Sequence, residues 1–221
     1  MKKIVIFIPS IESGGVEKNL FILTEYLSRK NKEIFIVTAN KNKQNFFGKK
    51  IKFISPKNRS YEKSSRFYKA VICFFLLIKS FKKKELVVLS FQSNIFAILS
   101  AKILQCKVLI RLNTAPQKYI KNIYKKLLFR FIYNQADEVI VNSNQFKKIL
   151  ISFLGIKSTV IYNFIEKKIN TNKKILFFKN YKDLKIINIG RLTSQKDQIT
   201  LIRATNLLKK NNYKFKLYII G

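Results

Sequence analysis

Short apolar runs alternate along the chain with longer stretches whose apolar residues recur every three or four positions. Residues 4–8 are apolar throughout, the pattern of a parallel strand covered on both faces. Val16, Leu20, Leu23 and Leu27 fall on one stripe, which predicts a helix over residues 16–30. Further strands are predicted at 34–38, 51–55, 86–90, 108–112, 139–142 and 159–162. Between them the spacing predicts helices at 62–81, 95–104 and 119–133, and one ending at Leu154 that Ser143 caps.

Such alternation predicts an α/β fold, a doubly wound parallel sheet with helices on both faces. Ligands of these folds bind beyond the carboxyl ends of the strands, so residues that come directly after strands are the ones to inspect. Residues 1–165 read as one domain. Lysine and asparagine then dominate, and residues 166–183 read as a linker. A second α/β unit occupies 184–221, with a strand at 186–189, a helix at 197–211 and a strand at 215–220. One strand–helix–strand unit leaves its faces bare and its edges unpaired, so only the start of a second domain is expected here.

Hydrophobic residues make up 48% of the chain, enough for a sizeable core and too many for wholesale disorder. The net charge is +34, from 45 basic and 11 acidic residues, a field that attracts anionic lipid, nucleic acid or phosphorylated substrates alike. Lysine far outnumbers arginine in a chain also rich in Ile, Asn and Phe, and A/T-rich codon usage would give the same excess. Cys73 and Cys106 stand alone in apolar stretches and read as buried, reduced thiols. The start, Met1-Lys2-Lys3 before an apolar run, imitates a signal peptide, but Pro9 and Gly14-Gly15 cut it short. The longest uncharged apolar run, 70–78, is about half of what a spanning helix needs, so a cytoplasmic protein is expected.

Ser13-Gly14-Gly15-Val16-Glu17 comes after the first strand. Paired glycines let a ligand approach the backbone, and the helix start behind them favours an anion, although any tight strand-to-helix turn can use the same pair. It is neither the dinucleotide fingerprint nor a P-loop. Near the other end, the strand Ile187-Asn188-Ile189 runs into Gly190-Arg191, with Lys196-Asp197 five residues on and a helix behind. Two cations and a helix N-terminus delivered to one point suit a diphosphate.

Together with Val87-Val88-Leu89-Ser90-Phe91, Asn142-Ser143-Asn144 and Val160-Ile161-Tyr162-Asn163, these segments occur in one order and spacing. In that order the chain resembles the family 4 nucleotide-sugar glycosyltransferases over residues 3–221. The resemblance implies the GT-B fold, two Rossmann-like domains facing across a cleft. It implies an acceptor-side first domain and a donor-binding second domain that is incomplete here, so that the chain alone is inactive. By the resemblance Arg191 and Lys196 are catalytic and grip the donor diphosphate beside Gly190, while Gly14 and Gly15 face the same ligand. Loss of one such contact to a leaving diphosphate costs on the order of 100- to 1,000-fold in rate. Arg111 and Asn113, after the strand at 108–112, stand where many members place an acceptor-side histidine; they are candidate acceptor contacts, or a core-edge Arg with a turn Asn.

The family's paired glutamates lie beyond Gly221; Glu17, Glu25 and Glu33 share their spacing but belong to the first helix and the residues just after it. The resemblance further implies a retaining, metal-independent hexosyl transfer without cofactor, from a nucleotide-sugar donor to a glycan or lipid-linked acceptor, in cell-surface polysaccharide or lipopolysaccharide synthesis. The alternatives are an epimerase or phosphorylase-like enzyme of the same fold, or a non-enzymatic basic protein that binds nucleic acid. Nucleic acid is not an expected partner, because no helix-turn-helix, RNP, KH or zinc signature is present. The helices at 66–84 and 118–133 mix Lys and Arg with aromatics and aliphatics. They either pack on the sheet with lysines outward or lie on an anionic membrane, which makes peripheral attachment a further expectation.

Overall fold

In a computed structural model, which describes residues 3–12, 14–30, 33–165 and 181–221, the seven apolar runs of the first part pair side by side. They are β1 (Lys3–Phe7), β2 (Ile34–Val37), β3 (Ile51–Ile54), β4 (Leu86–Ser90), β5 (Lys107–Arg111), β6 (Glu138–Val141) and β7 (Thr159–Val160). All pairs are parallel and the order is β3-β2-β1-β4-β5-β6-β7. The chain reverses its direction of travel between β1 and β4. That is the switch point at which the loops leaving these two strands part and open a crevice.

Alternate residues of β1 serve opposite faces. Val5 and Phe7 join a core built with Cys73 and Leu77 of α2 (Arg66–Ser80), Ala97 and Ile98 of α3 (Asn94–Ile103), Tyr133 of α4 (Ile123–Tyr133) and Leu150 of α5 (Asn144–Leu154). Ile6 and Ile8 join a smaller core with Leu20, below α1 (Gly15–Arg29). Among the described residues, four helices therefore cover one face of the sheet and one helix the other. Within α1 only Asn19, Leu20 and Thr24 are buried, so this helix depends on polar ties as well as on packing.

Capping fixes several helix starts later than apolar spacing predicts. The helix expected from residue 62 begins at Arg66, because Ser65 Oγ accepts from the Tyr68 N–H and Arg59–Lys63 forms a separate 3-10 turn. The one expected from 119 begins at Ile123, where Asn122 Oδ1 accepts from the Tyr124 N–H at 2.8 Å after a 3-10 turn at Pro116–Lys118. Ser143 caps α5 as expected, accepting from the Phe146 N–H at 3.1 Å. The helix ends at Gly155, whose φ of +66° is the left-handed conformation that favours glycine.

The described chain divides into two compact units, Met1–Lys167 and Lys168–Gly221. The second holds β8 (Leu184–Ile189), α6 (Gln198–Lys210) and β9 (Phe215–Ile220), with Ile186 beside Leu217 and Ile189 beside Ile220 in a parallel pair. Of the linker expected at 166–183, residues 166–180 lie outside the described residues, as does Ser13 of the glycine motif.

Candidate active site

The loop that leaves β1 is pinned from both neighbouring strands. Asn40, after β2, accepts the Ile11 N–H at 3.1 Å, and Gln92, after β4, accepts the Ser10 N–H at 3.3 Å. Farther along, Glu17 reaches back from the first turn of α1 to accept the Glu12 N–H at 3.2 Å. Glu12 in turn receives Arg66 of α2 at 2.8 and 3.0 Å. These ties hold Gly14 and Gly15 at the start of α1 beyond the carboxyl end of the sheet.

Neither glycine is demanded by its backbone. Gly14 has φ −169°, extended geometry that any residue adopts, and Gly15 is helical. A Cβ on Gly15 would meet nothing within 4 Å, whereas one on Gly14 would come within 3.0 Å of a Glu17 carboxylate oxygen. No side chain caps α1. Among the described residues, the first N–H groups of α1 thus have no side-chain cap, and the Glu17 carboxylate lies beside them. A cleft of ≈ 360 Å³ opens beside it, between Ile11 and Gly14 and the side chains of Lys18, Phe21, Lys43 and Phe46.

Arg111 and Asn113 lie on the same end of the sheet, turned inward. The Asn113 side-chain amide donates to the Phe91 carbonyl at 2.9 Å, joining the β4 and β5 loops. Arg111 is 4% exposed. Its guanidinium donates to the Ile161 carbonyl at 3.2 Å and to Asn163 Oδ1 at 2.9 Å, and sits 5.9 Å from the centre of the Phe91 ring. Burial shifts its pKa downward, because the low-dielectric surroundings oppose the charge. Asn94 and Ser90 complete a buried polar chain: Ser90 Oγ to Asn94 Oδ1 at 2.7 Å, and the Asn94 amide to the Arg111 carbonyl at 3.3 Å.

Residues 161–164 connect the two groups. While Arg111 holds Ile161 and Asn163, the Phe164 N–H donates to Asn19 Oδ1 at 2.6 Å. The Asn19 amide donates to the Gly15 carbonyl at 2.7 Å. One strap thus runs from the β5 end to the first turn of α1, and Gly15 and Arg111 share one rim. Asn19, Asn40, Gln92 and Asn163 do this positioning. Sequence reading singled out only the segment containing Asn163; the others are lone amides just after a strand or inside a helix, a weak signal.

In the second unit β8 ends at Gly190, whose N–H donates to the Ile220 carbonyl at 2.9 Å. The aliphatic stem of Lys196 lies over Gly190, with its Cδ 3.5 Å from where a Cβ would stand. Arg191 and Lys196 are both exposed. Buried Gln198 fixes the loop by donating to the Arg191 carbonyl at 3.0 Å. Asp197, at φ +48°, caps α6 by accepting from the Thr200 N–H at 3.4 Å. Strand end, two cations and helix start are consecutive, and Gly190 gives Lys196 room to fold back across the strand end.

Residues 13–168 match the family described as Glycosyltransferase Family 4. The chain belongs to that family. It is 30% identical to the Campylobacter jejuni N-acetylgalactosamine-N,N'-diacetylbacillosaminyl-diphospho-undecaprenol 4-alpha-N-acetylgalactosaminyltransferase, over 100% of this chain and 63% of that protein. A glycosyltransferase from Rickettsia africae superposes with TM-score 0.69 at 20% identity, over 100% of this chain and 60% of that one. Anabaena HepE, solved with UDP and glucose, superposes with TM-score 0.67 at 13% identity, over 99% of this chain and 61% of that one. At those identities the likeness is one of fold, the GT-B fold that the family resemblance implied. The chain spans less than two thirds of the length of each of these three relatives.

Proposed function

We propose that the protein transfers a sugar from a nucleotide-sugar donor to a glycan or lipid-linked acceptor, retaining anomeric configuration and using no metal ion. The observation that carries this reading is the loop from Gly190 to Gln198: an exposed arginine and an exposed lysine at a strand end, held by Gln198, in front of a helix. Breaking the bond between sugar and diphosphate leaves negative charge on the departing oxygens. Arg191, with its planar fork, and Lys196, as a point charge, would neutralise it, and the first N–H groups of α6 would add to them. That division of labour makes a divalent cation unnecessary for leaving-group stabilisation.

The first unit would serve the acceptor. Its rim offers an uncapped helix start at Gly15 and, behind it, a buried guanidinium whose partners at Ile161 and Asn163 are neutral. A buried cation with neutral partners raises the local potential and favours an anionic group on an incoming molecule. The Campylobacter jejuni relative is named for a diphospho-undecaprenol acceptor, which supports a lipid-linked diphosphate here. Cell-surface polysaccharide or lipopolysaccharide synthesis is the setting such an acceptor fits, with peripheral attachment to the cytoplasmic leaflet.

The test is binding of UDP and GDP by isothermal titration, with R191A/K196A as the comparison and circular dichroism as the folding control. At least one nucleotide should bind, and the double replacement should weaken it by about 100-fold or more. Equal affinity in parent and variant would overturn the assignment of these cations. Joined to a complete donor-binding domain, the protein should stay active in EDTA and release nucleoside diphosphate only with added acceptor; acceptor-independent turnover would favour the epimerase alternative.

A further inference from the structure

Two elements of the first unit line opposite parts of the cleft beside Gly14. On α1, Glu17, Lys18 and Phe21 fall within an arc of about 100°. The 3-10 turn at Lys41–Phe46 brings Lys43 and Phe46 into line, because side chains three apart eclipse in such a turn. Buried Ile11 and half-buried Phe47 complete an aromatic and aliphatic lining, and the volume of ≈ 360 Å³ is that of a small-molecule site.

Folding does not account for this lining. Phe47 ties it to the core below α1, with its ring 5.3 Å from Phe53 and 6.0 Å from Phe21. Phe46, however, is 67% exposed, with Lys43 Nζ 5.3 Å from the centre of its ring. Gly14 has an extended backbone that any residue adopts, yet a Cβ there would stand 3.0 Å from Glu17 Oε2. Glycine thus leaves space beside that oxygen. The Glu12 N–H occupies Oε1, and among the described residues none donates to Oε2.

Charge and shape together select the occupant. Two carboxylates, Glu12 and Glu17, and two ammonium groups, Lys18 and Lys43, line the cleft. In a chain of net charge +34 this is a balanced spot, which does not favour an anion. A purely apolar molecule would desolvate Glu17 and Lys18 without giving them partners. A pyranose ring meets both demands. Its axial C–H bonds form a flat patch that the electron-rich face of an aromatic ring attracts, and its hydroxyls lie around the edge.

We propose that this cleft is a saccharide subsite that takes one neutral acetamido sugar. The ring stacks on Phe46 and Phe21, its hydroxyls donate to Glu17 and accept from Lys18 and Lys43, and the acetamido methyl goes toward Ile11 and Phe47. That the sugar belongs to the acceptor rests on the function proposed above, whereas its binding here does not.

Saturation-transfer NMR on the whole chain, with the methyl β-glycosides of N-acetylglucosamine and of glucose, tests this. Both should bind, the acetamido sugar about fourfold more tightly, the effect of one buried methyl group. F46A should weaken binding about fivefold, and G14V, which fills the cleft, should abolish it, both with circular dichroism unchanged. Raising NaCl from about 0.1 M to about 0.5 M should change the affinity less than about twofold, since the ligand is neutral. Absence of binding, equal affinity for the two glycosides, or equal affinity of F46A and the parent overturns the proposal. So does displacement of the glycoside by inorganic pyrophosphate, since the cleft would then be an anion site. None of these readouts requires sugar transfer or a nucleotide, so they stand or fall apart from the R191A/K196A titration.

Discussion

Arg111, at the end of β5, crosses the level of β6 to bind Asn163 at 2.9 Å, beyond the end of β7. Sequence reading offers this arginine as an acceptor contact or as a core-edge residue; in the structure it is 4% exposed, with its guanidinium on the Ile161–Asn163 strap. β7 is an edge strand of two residues, and the strap beyond it is otherwise tied by the Ile161 N–H to the Val141 carbonyl at 2.9 Å, by Asn144 to the Tyr162 hydroxyl at 3.1 Å and by Phe164 to Asn19. R111M should therefore cost roughly 1.5–3 kcal/mol, the range for a hydrogen bond to a charged group. R111K should recover part, because an ammonium can donate to both acceptors that one guanidinium nitrogen now serves but lacks the plane that lies over the Phe91 ring. Urea unfolding and hydrogen exchange at residues 161–164 would measure both, and an unchanged urea midpoint in R111M would rule out the bracing role.

Gly15 separates folding from binding. Its helical backbone and the open space around its Cα let alanine fit without strain. G15A should leave the protein as stable or stabilise it by about 0.4–1 kcal/mol, through a less flexible unfolded chain. An added methyl at the bare helix start should nevertheless weaken an anionic ligand about tenfold. Thermal unfolding and ligand titration on the same sample would show the split. Loss of stability would mean that the glycine serves the fold instead.

Burial pushes the Cys73 thiol from 9.0 up to about 12. The folded state thus keeps its proton where the unfolded chain releases it. The resulting stabilisation is complete below pH 9.0 and is lost between there and about 12. Compared with C73A, the parent protein should lose relative stability across that interval. Urea midpoints of both proteins over that pH range would show it, and parallel curves would contradict the assignment. Cys73 should also resist thiol reagents until the protein unfolds.

Asp197 combines a cap with a left-handed backbone. D197A removes the acceptor for the Thr200 N–H and keeps the unfavourable φ, so it should destabilise α6 by about 1–2 kcal/mol. D197G should cost less, since glycine accepts φ of +48° freely. If the two variants unfold alike, backbone geometry contributes nothing at this position.

Strands and their order of appearance were readable because buried parallel strands are apolar at nearly every position, as at Val5, Ile6 and Phe7. Helix starts were less readable, because they depend on single caps such as Ser65 and Asn122 that apolar spacing does not register. The glycine and cation motifs could be found since each comes directly after a strand. The strap from Arg111 through Asn163 and Phe164 to Asn19 could not. It joins residues up to 145 positions apart through single side-chain hydrogen bonds, and nothing in composition or periodicity records such a bond.

The order of strands has a consequence during synthesis. β1 sits at the middle of the sheet, and its pairing with β4 joins Lys3 to the Glu85 carbonyl, 82 positions later. A nascent chain can form β1 with β2 and β3 soon after they leave the ribosome. The opposite edge of β1, with its unpaired backbone N–H and C=O groups, then waits until β4 emerges, on the order of ten seconds at usual elongation rates. Over that interval the centre of the future sheet is a sticky edge, and its protection falls to chaperones or to the speed of translation.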